Sequence, residues 1–463
     1  MFIGRRNEIH DLKAEFDRQT PSLVLMYGRR RVGKSELIKE VGKDYPFVYF
    51  QATEDPPHVG IAAFKAAVEA QIGTSPVLSG LQDWEGILHY IARAAEDSPG
   101  LVVALDEFPY LCETYKPLPS VIQKFWDSRA AESGKLNLVL CGSAISAMKS
   151  LIGGNAPLYG RQTAKFDLRQ MPLREISGFF PTYSAEQLVA TYAMFGGIPF
   201  YLEKCDRFST PEENIRNLML SRNGALVDGP EVLTQSEVNE PAVYHAILSA
   251  IAAGKTKRGE IRDSVRTHGD IGGYLEKLAR MHVAIAMKSI DADEFSRDSR
   301  YVIVDPMASF WYAFVRPNVS AIKIGQGDAV WNSRIIPAMG NFLGTSFEVI
   351  CRNHVTLYGH EFLPSPAQKI GKIWRKPDYD IDIAGELLDG SHVYGEVKWT
   401  SDPIGIPILD KLIGRSEESG YGGRNGKHFV LFSKSGFTED LQERAAKDSS
   451  VVLVGLSDLA SLP

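Results

Sequence analysis

A chain of 463 residues is too long for one hydrophobic core, because single cores stop growing at about 250 to 300 residues, so two or three domains are expected. Its apolar fraction of 44% and charged fraction of 23% are those of ordinary globular proteins, which excludes a disordered chain and a fibrous repeat. The net charge of -6 excludes a general attraction to nucleic acid, although a local basic patch would still bind phosphates.

The cysteines and the apolar stretches indicate where the protein resides. Cys112, Cys141, Cys205 and Cys351 are scattered singly, without the paired spacing of a disulfide framework or a zinc site. No run of about 18 apolar residues occurs, and none follows the basic residues at the start, so neither a membrane span nor a signal peptide is expected. The sequence predicts a cytoplasmic protein with no membrane contact.

The first 180 residues alternate short apolar runs with segments of helical periodicity. The apolar runs predict buried strands at Ser22–Tyr27, Phe47–Phe50, Leu101–Leu105, Leu136–Cys141 and Thr163–Leu168. Strands that alternate with helices are typical of a parallel sheet covered on both faces. The predicted fold class is therefore α/β, with a parallel-sheet core over residues 1–180.

The first strand runs directly into a glycine-rich segment that precedes a helix. The segment fits the pattern G-x-x-x-x-G-K-[ST] and consists of Gly28, Arg29, Arg30, Arg31, Val32, Gly33, Lys34 and Ser35. The glycines let backbone amides turn towards a β-phosphate, and the positive end of the following helix adds to their field. This pattern is a P-loop, so residues 1–180 are predicted to form a P-loop NTPase core. We expect Lys34 to bridge the β- and γ-phosphates and Ser35 to bind Mg²⁺. The alternative is an ordinary glycine-rich turn.

The third strand ends in two carboxylates. In Leu101–Glu107, an apolar run is followed by Asp106 and Glu107, as in a Walker B strand. Asp106 is expected to hold Mg²⁺ through water, and Glu107 to polarise the water that attacks the γ-phosphate. The alternative is a strand that merely ends in two solvated acids. Together with the P-loop, the pair predicts ATP hydrolysis.

Two further polar residues are candidates for the same site. Ser143 ends the strand after the Walker B strand, where a hydroxyl could sense the γ-phosphate, and Arg161 precedes the next strand. A cation there could stabilise transition-state charge in cis, or from a neighbouring subunit of a homo-oligomer. The alternatives are that Ser143 caps a helix and that Arg161 pairs with a surface acid.

Beyond residue 180 the strand signals give way to helical patterns. Residues 181–238 are predicted to form a helical lid, interrupted at Gly196-Gly197-Ile198-Pro199. Three short helices at residues 244–252, 258–266 and 273–281, followed by hairpin strands at 283–289 and 300–305, predict a winged helix. With an aromatic-rich connector it occupies residues 239–320. Residues 335–463 are predicted to form a last domain in the order helix, strand, hairpin, helix, strand.

Six motifs in this order resemble the archaeal-type ATPases of the AAA+/STAND-related P-loop class: Phe2-Ile3-Gly4-Arg5, then GRRRVGKS, ALDE, LCGS, YGR and GGIP. The resemblance covers nearly the whole chain. It implies a winged helix and a C-terminal α/β domain similar to the PD-(D/E)xK, or restriction-endonuclease-like, nucleases. It also implies that Gly4 and Arg5 lie near the adenine, although physically they equally suit an ordinary helix start.

A hairpin in the last domain carries the second set of candidate residues. Asp380–Ile383 and Tyr394–Trp399 flank the turn signal at Asp389-Gly390. Folding about residue 389 places Asp382 opposite Glu396, and Lys398 shares a strand face with Glu396. Two carboxylates suit Mg²⁺ at a scissile phosphate, and a lysine suits the positioning or activation of water.

The resembled family implies a third carboxylate on a helix, for which Glu348 is the candidate. Pro377-Asp378 spells the letters of the family motif, but in this register Asp378 lies beyond the facing acids, so Asp382 is preferred. The alternative is a solvent-exposed charged hairpin. A nuclease-like fold also persists in proteins that bind without cutting.

Two basic clusters point to DNA or RNA as partners. The first comprises Lys255, Lys257, Arg258, Arg262 and Arg266, and the second comprises Lys369, Lys372, Arg375 and Lys376 beside Trp374. The alternative for each is a solvated face. The sequence thus predicts Mg²⁺-dependent ATP hydrolysis that drives a conformational switch coupled to a nucleic-acid-binding or nuclease-like C-terminal domain. The alternative is a regulatory or signalling NTPase whose winged helix and C-terminal domain are non-catalytic binding modules.

Overall fold

The computed structural model describes residues 2–132, 135–229, 238, 240–265, 269–293, 295–296, 298–375 and 379–461. Four residues named above, Arg266, Lys376, Pro377 and Asp378, lie outside these ranges, as does the side chain of Arg375. The chain divides into two compact units, of which the first is Met1–Gln170 with Ile198–Phe200 and the second is Met171–Gly197 with Tyr201–Pro463. The division of the chain into four domains stays a prediction.

The first unit contains a five-stranded parallel sheet in the order β2-β3-β4-β1-β5. Its strands are β1 Ser22–Tyr27, β2 Phe47–Gln51, β3 Val102–Asp106, β4 Asn137–Gly142 and β5 Ala164–Asp167. Each end lies within one residue of its predicted position, so the predicted strands and the parallel sheet are confirmed.

Helices cover both faces of this sheet. They are α1 Arg6–Phe16, α2 Lys34–Gly42, α3 Pro57–Ile72, α4 Pro76–Gly80, α5 Trp84–Asp97, α6 Phe108–Thr114, α7 Leu118–Asp127 and α8 Ile145–Ser150, with a 3₁₀ turn at Ala130–Glu132. Alternate residues of β1 enter different cores: Leu23 and Leu25 pack with α3 and α5, whereas Val24 and Met26 pack with α1 and α2. Burial on both faces explains why the strands read as continuous apolar runs.

The second unit begins with helices, as the sequence predicts. They are α9 Leu173–Ile176, α10 Ala185–Phe195, α11 Pro199–Leu202, whose first two residues belong to the first unit, and α12 Pro211–Met219. Capping boxes start α10, through Ser184 and Gln187, and α12, through Thr210 and Glu213. In each box a side chain satisfies an otherwise unpaired backbone donor at the start of the helix.

Three helices and an antiparallel hairpin follow: α13 Pro241–Ala252, α14 Arg258–Val265, α15 Gly272–Arg280, β6 Ala284–Lys288 and β7 Ser299–Ile303. These elements are confirmed, and the name winged helix stays a prediction. The connector comprises α16 Pro306–Phe310, a π-helical turn Trp311–Val315, a 3₁₀ turn Arg316–Asn318, α17 Val319–Lys323, α18 Gly327–Val330 and a π-helical turn Trp331–Ile335. Trp311 and Tyr312 are buried in it, so the connector is packed.

The last part of the second unit is a mixed five-stranded sheet in the order β12-β11-β10-β9-β8. Its elements are α19 Ile336–Tyr358, a 3₁₀ turn Gly359–Glu361, β8 Ala367–Arg375, β9 Tyr379–Leu387, β10 His392–Lys398, α20 Ile406–Ser419, β11 Lys427–Ser433, α21 Glu439–Lys447, β12 Val451–Gly455 and α22 Leu456–Ala460. Strands β8, β9 and β10 are antiparallel, and β10, β11 and β12 are parallel.

The predicted hairpin is β9 and β10. Its register pairs Gly395 with Ile383, and Glu396 and Asp382 are the next residues along the two strands. The sequence predicted that these two acids face each other. Among the helices in the described ranges, none combines the length and apolar character needed to cross a bilayer.

Candidate functional site

The P-loop joins the end of β1 to the start of α2, and its backbone is tightly packed. A Cβ atom at Gly28 would lie 2.3 Å from the carbonyl oxygen of Leu168, and Gly33 has a φ of +95°. Both positions therefore require glycine. Lys34 is only 5% exposed, and its Nζ donates to the carbonyls of Gly28 at 2.9 Å and Arg29 at 3.0 Å. These bonds hold the ammonium group against the loop backbone.

The Walker B carboxylate of Asp106 meets the P-loop at Ser35. The Ser35 Oγ donates to Asp106 Oδ2 at 2.5 Å, the Tyr49 hydroxyl donates to the same oxygen at 2.6 Å, and the backbone N–H of Glu107 donates to Oδ1 at 2.9 Å. Burial raises the pKa of Asp106, but hydrogen bonds from Ser35, Tyr49 and Cys141 outweigh it, so the pKa lies below its usual value. Asp106 is therefore an ionised carboxylate that accepts hydrogen bonds from neutral donors.

Sequence reasoning missed Tyr49. Burial raises its pKa, and its hydrogen bond to Asp106 raises it further, so the phenol stays a protonated donor. Because β2 and β3 are parallel neighbours, with Gln51 opposite Asp106, the end of β2 lies beside the Walker B carboxylate. A polar residue near the end of a neighbouring strand was the available signal.

Glu107 and Ser143 also meet. Glu107 has a φ of 50°, in the left-handed region that non-glycine residues rarely adopt. Its Oε2 accepts the backbone N–H of Ser143 at 3.2 Å and the Ser143 Oγ at 2.9 Å. Helix α8 has Ala144 as its N-cap and no side-chain cap, so Ser143 does not cap that helix. The two residues predicted to act on the γ-phosphate are thus hydrogen-bonded to each other.

Arg5 contacts the outside of the P-loop. It is 3% exposed, its φ is 60°, and it precedes α1. Its Nη2 donates to the carbonyls of Val32 at 3.0 Å and Arg169 at 2.5 Å, and its Nη1 donates to Glu8 at 2.8 Å. Arg5 therefore ties the P-loop to the chain that follows β5. Sequence reasoning did not foresee this contact, and the placement of Gly4 and Arg5 near an adenine stays a prediction.

Ile198–Phe200, the part of the GGIP region that belongs to the first unit, packs on the P-loop. The Arg31 guanidinium lies 3.7 Å from the centre of the Phe200 ring, and Pro199 is the nearest neighbour to a Cβ built at Gly33, at 3.7 Å. The sequence predicted only a helix break at this position.

Arg161 bonds elsewhere. Its guanidinium forms a two-pronged pair with Asp127 at 2.7 and 2.8 Å and donates to the carbonyls of Pro157 and Tyr159 in its own loop. The structure does not bring it to Glu107 or Ser143, and the geometry is that of the surface-pair alternative. A role across a subunit interface stays a prediction.

In the second unit, the predicted hairpin residues are close to one another, and each acid has a cationic neighbour. Lys398 Nζ lies 2.6 Å from Glu396 Oε1, and Arg415 lies 3.5 Å from the other oxygen of Glu396. Asp382 Oδ2 accepts the N–H of Val397 at 3.1 Å, and its Oδ1 lies 3.5 Å from Lys372 Nζ.

Glu348, on α19, also pairs with Lys372, at 3.0 Å, and lies 3.7 Å from Arg352. Burial lowers the pKa of Lys372, but the charges of Glu348 and Asp382 raise it more, so the lysine stays charged. Within the described ranges, no three His, Cys, Asp or Glu side chains are grouped so that they could hold a metal ion. The arrangement is a set of paired charges, and sequence reasoning missed Lys372, Arg352 and Arg415 as its members.

The basic clusters are only partly available to a nucleic acid. Lys255, Lys257, Arg258 and Arg262 are exposed, but Arg258 bonds to Asp270 and Arg262 lies 3.0 Å from Asp263. In the second cluster, Lys369 is exposed, whereas the ammonium group of Lys372 pairs with the carboxylate of Glu348. Lys372 therefore does not contribute to a surface track.

Two family models match parts of this chain, and a relative matches most of it. Residues 2–205 match the family model described as "ATPase domain predominantly from Archaea", and residues 311–407 match one described as "Archaea bacterial proteins of unknown function". An uncharacterised protein of Methanocaldococcus jannaschii is 29% identical over 404 residues, which span 86% of this chain and 88% of that protein.

One solved structure shows a similar fold. A Walker-type ATPase of Pyrococcus abyssi superposes with a TM-score of 0.52 at 19% identity, over 67% of this chain and 96% of that one. The ORC2 protein of Aeropyrum pernix gives a TM-score of 0.46 at 15% identity, over 69% of this chain and 94% of that one. The chain is therefore a P-loop ATPase, whose residues 2–205 are similar to an ATPase domain found predominantly in Archaea and whose residues 311–407 are similar to proteins of unknown function.

Proposed function

We propose that this P-loop ATPase is a Mg²⁺-dependent switch, in which ATP turnover in the first unit controls binding by the second. The observation that carries the proposal is the presence of two hydrogen-bonded pairs of side chains at one end of the sheet. Ser35 meets Asp106, and Glu107 meets Ser143. An oxygen site for a cation and a carboxylate for a water molecule thus lie on the last residue of β3 and the residue that follows it.

The residues of the P-loop suit a bound nucleotide and its metal ion. The close approach of Gly28 to Leu168 leaves no room for a side chain, as a backbone cradle for phosphates requires. The Ser35 hydroxyl and the Asp106 carboxylate are the hard oxygen donors that Mg²⁺ takes, so they would hold it. Bound there, Mg²⁺ would supply neutralisation of phosphate charge.

The remaining steps belong to side chains of this chain. Glu107 polarises the attacking water, because its carboxylate follows directly after the metal-binding position. Ser143 fixes the orientation of that carboxylate through two donors to one oxygen, 2.9 and 3.2 Å away. Lys34 turns from the carbonyls of Gly28 and Arg29 towards the β- and γ-phosphates, which are stronger acceptors.

The switch itself is proposed to run through Ile198–Phe200. Phe200 stacks on Arg31 of the P-loop and is followed directly by Tyr201, where the second unit resumes. Phosphate binding changes the charges that surround Arg31, and the change is passed along this continuous backbone. Exposed Arg–Phe contacts are worth about 0.5 to 1 kcal/mol, and desolvated ones more, which is a suitable size for a reversible contact.

The catalytic part is tested by Lys34→Ala, with Lys43→Ala in the same region as the matched control, since Lys43 is exposed. We expect calorimetry with ATP and Mg²⁺ to show no binding to the first variant and normal binding to the second. Normal ATP affinity in Lys34→Ala would reject the site.

The switch is tested by Phe200→Leu. Phe208→Leu is its control, because Phe208 also lies beside an arginine, Arg207, but is 79% exposed. In hydrogen exchange, a non-hydrolysable ATP analogue should alter protection of residues 201–219 in the wild type and in the control. The effect should be lost in Phe200→Leu, while its ATPase rate is kept. An unchanged response in Phe200→Leu would contradict the switch.

A second candidate is that the C-terminal domain cuts nucleic acid, and the observation in its favour is that Asp382 and Glu396 directly follow the paired residues Ile383 and Gly395 of β9 and β10. It is tested on plasmid and single-stranded substrates with Mg²⁺ or Mn²⁺, comparing the wild type with Glu396→Ala. Cleavage that depends on metal and on Glu396 would establish the nuclease. If there is no difference, the remaining proposal is that the second unit binds nucleic acid without cutting it. Lys255→Ala and Lys257→Ala test that binding at low salt.

A further inference from the structure

Three carboxylates of the C-terminal domain surround one ammonium group. Lys372 Nζ lies 3.0 Å from Glu348, 3.4 Å from Asp380 and 3.5 Å from Asp382. The acids come from α19 and β9, and the lysine comes from β8. An ammonium group has three N–H donors, so it can serve all three acids. Its side chain is 16% exposed, so the contact is largely shielded from water.

The backbone holds Lys372 in this position. The pairing of β8 with β9 shifts between Gly371 and Ile373, so that Asp382 and Ile383 together face Lys372. An irregularity of this kind re-aims a side chain. The carbonyl of Lys372 accepts the N–H of Ile290 at 3.0 Å, and the N–H of Trp374 donates to Ser289 at 3.2 Å. The lysine is therefore fixed on both sides along the strand.

The charges of the site are balanced without a metal ion. The remaining acid, Glu396, lies between Lys398 and Arg415, and Arg352 lies beside Glu348. Four carboxylates thus face four cationic side chains. A divalent ion held by Glu348 and Asp382 would lie next to the ammonium group, and at such distances like charges repel strongly in a partly buried site. The acids present at this site therefore do not fit a divalent ion while Lys372 is in place.

We propose that the ammonium group of Lys372 occupies the position a divalent metal ion would need, so that this carboxylate site is a metal-free structural centre of a domain that binds without cutting. The inference deepens the proposed function, because it assigns binding without cleavage to the second unit. It rests only on the proposal that the second unit binds a partner, and not on the ATPase cycle. Lys372 links α19, β8 and β9 as a metal ion would, but it offers no activated water for hydrolysis.

The test is a titration of the full, nucleotide-free chain with Mn²⁺, followed by the electron paramagnetic resonance of the free ion. The variants are Lys372→Met, the control Lys369→Met, which is exposed on the same strand, Asp382→Asn alone, and each lysine variant combined with Asp382→Asn. In the wild type and in Lys369→Met, adding Asp382→Asn should leave Mn²⁺ binding unchanged. Lys372→Met should gain Mn²⁺ binding that Asp382→Asn removes, with affinity raised by at least about tenfold, because a like charge has been removed from the site.

Asp382-sensitive Mn²⁺ binding in the wild type would overturn the inference, as would no gain in a Lys372→Met protein that melts cooperatively and retains ATPase activity. If Lys372→Met does not fold, the wild-type comparison with Asp382→Asn still decides: absence of the difference supports the inference, and its presence refutes it. ATPase rates are recorded on the same samples. Failure of ATP hydrolysis would count against the proposed switch but would leave the inference about Lys372 unaffected, so the two outcomes are distinguishable.

Discussion

Replacing Arg5 by Met should loosen the P-loop without touching a phosphate-binding group. The change keeps the apolar stem of the side chain and removes the guanidinium. It leaves the carbonyls of Val32 and Arg169 without the Nη2 donor that now lies 3.0 and 2.5 Å away. A buried acceptor that loses its donor costs about 1 to 3 kcal/mol. The ion pair with Glu8 adds little, because Glu8 is 29% exposed.

The bond to Val32 is buried and the bond to Arg169 is partly buried, so we expect a loss of about 3 kcal/mol in the free energy of unfolding of the first unit. For a unit of this size that corresponds to a melting temperature lower by about 6 to 12 °C. ATP must then order the loop as it binds, which should weaken its affinity by about tenfold.

Arg6→Met is the matched control, since Arg6 is the next residue and is exposed. Calorimetric melting and ATP titration should separate the two variants, with Arg6→Met close to the wild type. Equal melting temperatures and equal ATP affinities for both would refute the assignment of Arg5 as a clamp on the P-loop.

Three further changes act at the same sheet edge. Glu107→Gln should retain ATP binding but lose turnover by about 100-fold or more in single-turnover assays, and unaltered hydrolysis would contradict its role. Gly28→Ala would place a Cβ 2.3 Å from the carbonyl oxygen of Leu168 and should abolish nucleotide binding, whereas Gly60→Ala, whose nearest neighbour would be 4.0 Å away, should not. Because the folded-state pKa of Asp106 lies below its unfolded value of 3.8, its contribution to stability is present above that pH and is lost as the pH falls below it. Asp106→Asn should flatten this acid limb in urea titrations, and an unchanged limb would contradict the lowered pKa.

Much of the first unit could be predicted because its signals are local. A continuous apolar run predicts a strand that is buried on both faces. The pattern from Gly28 to Ser35 predicts the backbone conformation of the P-loop, together with the strand before it and the helix after it. Asp106 and Ser143 follow from the same logic, since parallel strands end at one edge of a sheet. The β9–β10 hairpin was equally accessible, because its turn fixes the register that pairs Ile383 with Gly395, next to Asp382 and Glu396.

The residues that were missed depend on contacts between distant parts of the chain. Phe200 lies on Arg31, which is far from it in the sequence, and no periodicity predicts this contact. Tyr49 lies in the apolar run of β2, and its hydroxyl near the end of that strand was the only signal for its contact with Asp106. Lys372 was assigned to a surface cluster, since the change in register that turns it towards Glu348 depends on how β8 and β9 pair and leaves no mark in the sequence.

The two carboxylate sites differ most in the charge of their partners, and this difference bears directly on function. Asp106 accepts hydrogen bonds from the hydroxyls of Ser35 and Tyr49, which stabilise an anion without cancelling its charge. Its negative charge therefore remains available to a cation, and a hydroxyl such as that of Ser35 can turn its oxygen to the same ion. Asp382 instead faces the ammonium group of Lys372, which neutralises it. A motif search that counts only acids scores the two sites alike, whereas counting the charges around each acid separates a site that can bind a divalent ion from one that has no charge left to offer it.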